Sequence, residues 1–202
     1  MKAKSKRISI YVLTGMLNLT LLTGCQSSEI ANQSPPVQED TYIPSKTASA
    51  QLGEFSTQDI YGNIYTQDIF KDYDLTLVNV FTTWCTPCVE EIPDLEKLYQ
   101  DMSDRGIQVV GVLLDVLNEK GEIQQDMLEK SQLLATKAGA TYPFLLPDTT
   151  YMNGHLIGVE SFPETFFVDK NGNVVGQTYS GSHGYEDWKT IVEQELARLE
   201  ED

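Results

Sequence analysis

The stretch Val78-Asn79-Val80-Phe81-Thr82-Thr83-Trp84-Cys85-Thr86-Pro87-Cys88 decides the fold, because it joins an apolar run to a Cys-x-x-Cys pair. Leu75 to Phe81 is short, rich in apolar residues and partly β-branched, which is typical of a buried central strand. From about Pro87, apolar residues recur at helical spacing until Gly106. The two cysteines are therefore predicted at the junction between a strand and a helix.

The rest of the sequence alternates between strand and helix patterns, which indicates an α/β protein. A strong hairpin signal, Lys170-Asn171-Gly172, separates two short strands near the end. The other predicted elements are a hairpin over Phe55–Phe70 around Tyr61-Gly62-Asn63, strands over Ile107–Leu114 and Phe144–Leu146, a helix over Glu122–Ala138 that ends at Gly139, strands over Thr165–Asp169 and Asn173–Thr178, and a closing helix over Glu186–Leu199.

Zinc binding, copper binding and a structural staple are three possible functions of a pair such as Cys85 and Cys88. A structural zinc site needs four ligands, commonly two such pairs. Only one pair is present, and His155 and His183 are not spaced like a second pair of ligands. Copper bound by two thiolates and a distant histidine is chemically possible. A structural staple is disfavoured, because a bond across two residues closes a loop too small to restrain the unfolded chain much.

Redox chemistry fits the pair better than metal binding or a staple. A sulfur at the start of a helix faces unpaired N–H groups that carry about half a positive charge. We expect that field to lower the pKa of the Cys85 thiol below the free value of about 8.5. Cys88 lies one helical turn further, where we expect it to be covered but able to attack a mixed disulfide. Pro87 is tolerated there, because N–H groups of the first turn have no partner within the helix, and Trp84 is expected to shield the pair on one side.

The first 24 residues are predicted to be a signal peptide. A basic start is followed by Ile8 to Leu22, which is mostly apolar but rather short and polar for a membrane span. Leu22-Thr23-Gly24-Cys25 then resembles the lipobox of bacterial lipoproteins. The resemblance implies cleavage before Cys25 and a lipid on its sulfur, which would anchor the protein to the extracytoplasmic face of the cell membrane. Disulfides persist in that compartment.

Residues 25–50 are predicted to be a flexible tether and residues 51–202 the folded domain. The tether is rich in Ser, Pro, Gln, Asn and Thr and poor in large apolar residues. Four of the 14 basic residues precede Cys25, so the mature chain keeps 10 basic residues against all 30 acidic ones, a net charge of about −20. Nucleic-acid binding needs the opposite sign of charge, so we expect no nucleic-acid partner. We also expect a monomer.

The motif around the cysteines resembles the active site of thioredoxin-like proteins, and in particular of extracytoplasmic thiol–disulfide oxidoreductases of the TlpA/ResA type. The resemblance covers most of residues 51–202 and includes Ser161-Phe162-Pro163-Glu164-Thr165-Phe166-Phe167-Val168-Asp169. It implies a thioredoxin fold: a central mixed β-sheet flanked by helices, with an N-terminal β-hairpin and a helical insertion around residues 120–139.

The resemblance also implies roles for residues outside the pair. Pro163 matches the cis-proline that faces the disulfide in this fold, and a cis bond there would turn the Phe162 backbone toward the cysteines. The substrate would then contact Trp84, Pro87, Phe162 and Pro163. Proline at the start of a strand would be the purely structural alternative.

Glu91 matches a glutamate near the cysteines in the ResA-like group, where it could relay a proton to or from Cys88. The alternative is a solvated helix residue, and Glu90 is the competing carboxylate. Asn79 occupies the position of a buried aspartate in cytoplasmic thioredoxins. Since asparagine does not titrate, this difference makes Glu91 a stronger candidate for the group that exchanges a proton with Cys88.

The expected function is reduction of protein disulfides by a catalytic Cys85–Cys88 dithiol. No nucleotide or flavin motif is present, so we expect no cofactor and no metal, and a membrane electron donor must restore the dithiol. Two alternatives stay open: an oxidase that inserts disulfides, because potentials in this fold run from about −270 mV to about −120 mV, and a binding protein that delivers copper.

Overall fold

The computed structural model describes residues 50–201, in which a two-stranded hairpin precedes a five-stranded mixed sheet. The strands are β1 (Ser56–Gln58), β2 (Ile64–Thr66), β3 (Leu75–Phe81), β4 (Ile107–Leu113), β5 (Phe144–Leu145), β6 (Glu164–Asp169) and β7 (Val174–Ser180), and the helices are α1 (Thr86–Met102), α2 (Gln125–Ala138) and α3 (Tyr185–Glu201).

The sheet has the order β5-β4-β3-β6-β7, with β3 at its centre. β3 runs parallel to β4 and antiparallel to β6, with Phe81 opposite Leu113 and Val80 opposite Glu164. Every residue of β3 is buried, as its apolar sequence predicted. The ends of β3 and β4 and the start of β6 therefore meet at one edge of the sheet, where α1 also begins.

The three α-helices contribute to a single apolar cluster on one face of the sheet. Ile92 of α1, Ala135 of α2 and Val192 of α3 belong to this cluster. Among the described residues, no α-helix contributes to the apolar cluster on the opposite face. That face is covered by side chains from the residues before β1, from a short 3-10 helix at Gln67–Phe70 and from the loop before β6. They include Leu52, Phe55, Phe70, Met152 and Leu156.

Two turns that the sequence predicted share one hydrogen-bonding pattern. Asp59 Oδ1 accepts the backbone N–H groups of Tyr61 and Asn63, while Asp59 Oδ2 accepts the Asn63 side chain. Asp169 holds its own turn in the same way through Asn171 and Asn173. In each case the aspartate replaces backbone partners within the turn.

Two predicted elements differ from the structure by more than two residues at one end, whereas the other predicted strands and the closing helix differ by two residues or fewer. The hairpin is shorter than Phe55–Phe70, because Gln67–Phe70 forms a 3-10 helix whose N-cap, Thr66, accepts the N–H of Asp68. Ile123 does not lie on α2, which begins at Gln125; it precedes that helix and is 40% exposed. The predicted end of this helix is confirmed, since Gly139 caps it in the left-handed conformation at φ 70°.

The predicted signal peptide over residues 1–24, the tether over residues 25–50 except its last residue, and Cys25 lie outside the described residues. Between residues 50 and 201, no helix combines the length and apolar character that a membrane span requires.

Candidate active site

The start of α1 positions both sulfurs. Cys85 is the N-cap residue of α1, with φ −78° and ψ 103°, and the backbone N–H of Cys88 donates a hydrogen bond to Cys85 Sγ over 3.3 Å. This sulfur therefore lies at the positive end of the helix dipole. The two cysteines form a disulfide; Cys85 is 5% exposed and Cys88 is 1% exposed. Cys85 is the more accessible residue, and its position favours a thiolate once the bond is reduced.

Two aromatic rings and a cis-proline lie beside the disulfide. Trp84 is 65% exposed, and its ring meets that of Phe162 edge to face at a centroid distance of 5.8 Å. The Phe162–Pro163 peptide bond is cis, which confirms the prediction, and the Phe162 carbonyl oxygen lies 3.6 Å from Cys85 Sγ. Pro87 is exposed in the first turn of α1. The backbone at residue 162 thus faces the disulfide, where an extended segment could pair with it.

Glu91 is a buried carboxylate, only 2% exposed, one helical turn beyond Cys88. Residues three apart on a helix share a face, so Glu91 and Cys88 lie side by side on α1. Glu90, the competing carboxylate, is exposed to solvent, as the sequence predicted.

Three hydrogen-bond donors surround the Glu91 carboxylate. Oε1 accepts the backbone N–H of His183 over 2.8 Å and the indole N–H of Trp188 over 2.7 Å, and Oε2 accepts Asn79 Nδ2 over 3.2 Å. The pKa of Glu91 is raised from 4.5 to about 7: burial raises it most, the three hydrogen bonds lower it in part, and the Asp94 carboxylate also raises it. Glu91 can therefore exchange a proton near neutral pH, as an acid–base group should.

Asn79 connects the buried carboxylate to the sheet. It is 3% exposed in β3, and its Nδ2 also donates to Thr165 Oγ1 in β6 over 3.0 Å. The sequence alone indicated only that the side chain at position 79 cannot titrate. The structure shows that its amide is a donor to Glu91, so the amide lies where an aspartate would place a second carboxylate beside Glu91.

The strand-to-helix junction is also held from the neighbouring strand. Asp115, just after β4, accepts the backbone N–H of Thr83 at 2.9 and 3.1 Å and the Thr83 hydroxyl at 2.7 Å. Thr83 is 4% exposed and precedes Trp84 and Cys85 directly. Asp115 therefore fixes the backbone that leads into the cysteine motif.

Three contributors to the site were not predicted from the sequence: Trp188, Asp115 and the backbone of His183. Asp115 follows a predicted buried strand that is parallel to β3, so the shared edge of the two strands was a usable signal. Trp188 repeats at helical spacing with Val192 and Glu195 on a buried face, but that pattern does not identify a hydrogen-bond partner on α1. His183 lies in the loop between β7 and α3, and its contribution is a backbone N–H, which no side-chain pattern can indicate.

Within residues 50–201, no group of three or more histidine, cysteine or acidic side chains is arranged to hold a metal ion. The copper-delivery alternative stays an untested prediction.

Comparisons with known proteins agree with this geometry. The sequence model described as the AhpC/TSA family matches residues 48–177, more than half of the chain. The chain is 28% identical over 190 residues to the thiol:disulfide interchange protein DsbE of Vibrio cholerae, which covers 93% of this chain and 92% of that protein. It is 27% identical over 156 residues to the thiol-disulfide oxidoreductase ResA of Geobacillus thermodenitrificans, which covers 75% and 82% of the two chains.

A solved structure has the same fold. The thiol:disulfide interchange protein of the thioredoxin family from Chlorobium tepidum superposes with a TM-score of 0.58 at 26% identity, over 76% of this chain and 99% of that chain. The mixed sheet, the flanking helices and the N-terminal hairpin predicted from the sequence are thereby confirmed.

Proposed function

Because the chain belongs to the AhpC/TSA family and is a thiol–disulfide oxidoreductase of the TlpA/ResA type, we propose that it reduces disulfide bonds of other proteins at Cys85 and Cys88. The main support is the place of Cys85 Sγ at the N-terminus of α1, in a bond with the buried Cys88. In this proposal the substrate segment contacts Trp84 and Pro87 and pairs with the backbone at Phe162 and Pro163.

The proposed reaction has two exchange steps. In the first, the Cys85 thiolate attacks one sulfur of the substrate disulfide, forms a mixed disulfide and releases the other substrate sulfur as a thiolate. In the second, Cys88 attacks Cys85 Sγ, closes the Cys85–Cys88 bond and releases the remaining substrate thiolate. Glu91 takes the proton that Cys88 loses in this second step.

The charge around Cys88 supports the reducing direction. An ionised Glu91 beside Cys88 disfavours a thiolate on Cys88 by repulsion between like charges. Oxidising members of this fold are those in which the reduced form is stabilised. A buried carboxylate next to the pair acts against that stabilisation, and therefore favours transfer of electrons from the dithiol to the substrate.

Two measurements test this proposal. Equilibration with glutathione should give a reduction potential closer to about −270 mV than to about −120 mV, whereas a value above about −150 mV would favour the oxidase. Cys85→Ser should abolish reduction of insulin disulfides. Retained activity in that variant would refute the role of Cys85.

We further propose that the protein works at the extracytoplasmic face of the membrane, attached by a lipid on Cys25, with a membrane protein as its electron donor. The lipobox resemblance at Leu22-Thr23-Gly24-Cys25 supports the anchor. Acyl chains on Cys25 would hold the protein at the bilayer, because each buried CH2 group contributes about 0.8 kcal/mol. Cys25→Ser should therefore release the protein from the membrane fraction and end its labelling by radioactive palmitate. Retention of both in the variant would exclude this anchor.

A further inference from the structure

The loop between β7 and α3 connects two parts of the active site. The backbone N–H of Gly181 donates to the carbonyl oxygen of Pro163 over 2.9 Å, and two residues later the N–H of His183 donates to Glu91. Trp188 follows in the first turns of α3 and donates to the same carboxylate oxygen. The C-terminal part of the chain thus supplies two of the three donors that Glu91 receives.

Aromatic contacts fix the orientation of Trp188, which is fully buried. The imidazole of His183 packs on the indole at a centroid distance of 4.8 Å, and the Tyr179 ring packs on it at 6.1 Å. Tyr179 is held in turn, because its hydroxyl donates to Glu195 over 2.6 Å. The indole N–H therefore has little freedom to turn away from Glu91.

The chemistry of these donors decides which form of Glu91 they stabilise. An indole N–H and a backbone N–H can donate but cannot accept a hydrogen bond, so both favour the carboxylate over the carboxylic acid. Burial acts in the opposite direction. The titratable groups around Glu91 are Asp94 on α1, Tyr142 before β5 and His183 in the loop.

We propose that Trp188 is a positioning residue for the exchange reaction, which holds the Glu91 carboxylate beside Cys88 through its indole N–H. This inference rests on the proposed role of Glu91. In the second exchange step the Cys88 thiol gives its proton to the Glu91 carboxylate, its sulfur bonds to Cys85 Sγ, and the mixed disulfide breaks to release the substrate thiolate. Without the indole donor, the carboxylate accepts its own proton more readily and is less available to Cys88.

Trp188→Phe tests the inference, because it removes the N–H and keeps an aromatic ring. Val192→Ala is the matched control, since Val192 is also fully buried on α3, one turn away, and donates nothing to Glu91. The reduced full-length protein is mixed with excess oxidised glutathione at a series of pH values from 5 to 10. Samples of each reaction are then quenched in acid. Mass spectrometry then separates the mixed disulfide from the Cys85–Cys88 disulfide, which gives the rate of the second step.

In the wild type, this rate should rise with pH around a midpoint near 7, the pKa of Glu91. A hydrogen bond to a charged group is worth about one pKa unit or more, so the midpoint of Trp188→Phe should rise by about one pH unit. The second step should then be roughly eightfold slower at pH 6.5 and equal to the wild type at high pH. Val192→Ala should keep the wild-type midpoint. An unshifted midpoint in Trp188→Phe, or an equal shift in Val192→Ala, would overturn the inference.

Glu91→Gln separates this inference from the proposed function. Loss of the pH-dependent rise in Glu91→Gln, together with an unshifted Trp188→Phe, would leave Glu91 as the proton acceptor and reject only Trp188. Persistence of the rise in Glu91→Gln would reject both. The wild-type indole N–H resonances give an independent check if Trp188→Phe does not fold. The Trp188 resonance should titrate with Glu91 while that of the exposed Trp84 does not, and a Trp188 resonance that stays constant with pH would overturn the inference.

Discussion

Glu91 combines two opposing influences at the scale of a single residue: burial, which favours its neutral form, and three donors, which favour its charged form. Burial prevails, so the pKa is about 7 in the folded protein against 4.5 for an unperturbed glutamate. A group whose pKa is raised by folding stabilises the protein fully below its unfolded pKa and loses this contribution as the pH rises through the folded pKa. The relevant window is therefore pH 4.5 to 7.

Glu91→Gln should remove this pH dependence. Relative to the variant, the wild type should lose about 3 kcal/mol in free energy of unfolding between pH 4.5 and pH 8. Urea denaturation of the oxidised proteins measures the difference, and the disulfide keeps the cysteines from titrating. If the free energy of unfolding changes with pH equally in the two proteins across this range, Glu91 titrates at its ordinary pKa.

Asn79→Asp should introduce a conflict with Glu91. The new carboxylate would lie about where Asn79 Nδ2 now lies, 3.2 Å from Glu91 Oε2, and two carboxylates this close cannot both ionise. We expect the variant to lose stability as the pH rises above 7, more steeply than the wild type. Asn79→Ala, which loses the donor without adding a charge, is the control. The same pH dependence in both variants would contradict the expected repulsion between the carboxylates.

Some site residues were predictable from the sequence and others were not. The roles assigned to Cys85, Cys88 and Pro163 followed from local motifs and family resemblance, and the structure places all three together. The donors to Glu91 come from two segments far apart in sequence: Asn79 in β3, and His183 and Trp188 near the C-terminus. Local spacing carries no information about contacts between β3, α1 and α3, so Trp188 had no signal of its own.

At the scale of elements, the loop before α1 depends on Asp115. Asp115→Ala should leave the Thr83 N–H and hydroxyl without their acceptor, at a cost of about 2 kcal/mol in free energy of unfolding. Asp115→Asn keeps one side-chain oxygen and should lose less. Urea denaturation measures the loss of stability in both variants. The rate of Cys85 alkylation in the reduced proteins reports on the loop before α1. If the alanine variant stays within about 0.5 kcal/mol of the wild type, Asp115 does not hold this loop.

The pairing of β7 with β6 shifts its register between Thr165 and Phe167, and β7 has its bulge there. Gly176 lies in this part of β7, has φ +66° and lies against the buried Glu195 carboxylate of α3. A Cβ atom at Gly176 would overlap with Glu195, so Gly176→Ala should destabilise the protein by about 2 to 3 kcal/mol. Gly172→Ala is the matched control: it also has a positive φ, of +78°, but no atom would lie near its Cβ. This control should cost only about 1 kcal/mol. Equal losses in the two variants would mean that the contact between β7 and α3 is unimportant.

Elements with strong periodic patterns were predictable within a few residues, as β3 and α1 illustrate. The errors fall where local capping overrides periodicity. Thr66 starts a 3-10 helix inside the predicted hairpin, and the segment around Ile123 forms an isolated bridge with Leu117 instead of joining α2. Neither contact is encoded in the spacing of apolar residues.

At the scale of the whole molecule, the mixed sheet brings the ends of β3 and β4, the start of β6 and the loop after β7 to one edge. Family resemblance predicted this arrangement, and the comparison with the Chlorobium tepidum structure confirms the fold. The sequence did not predict that α1, α2 and α3 of the described residues 50–201 all contribute to one apolar cluster, or that loops and a short 3-10 helix in the same range cover the other face. Covering that face takes long-range contacts such as those of Leu52 and Met152.

The proposed reaction requires the sulfur of Cys85 to be nucleophilic because of its position between the end of β3 and the start of α1. The most direct test is the pH dependence of iodoacetamide alkylation of Cys85 in the reduced Cys88→Ser protein, with the labelled peptide quantified by mass spectrometry. We predict a pKa for the Cys85 thiol clearly below the free value of about 8.5. A pKa at or above 8.5 would contradict the account.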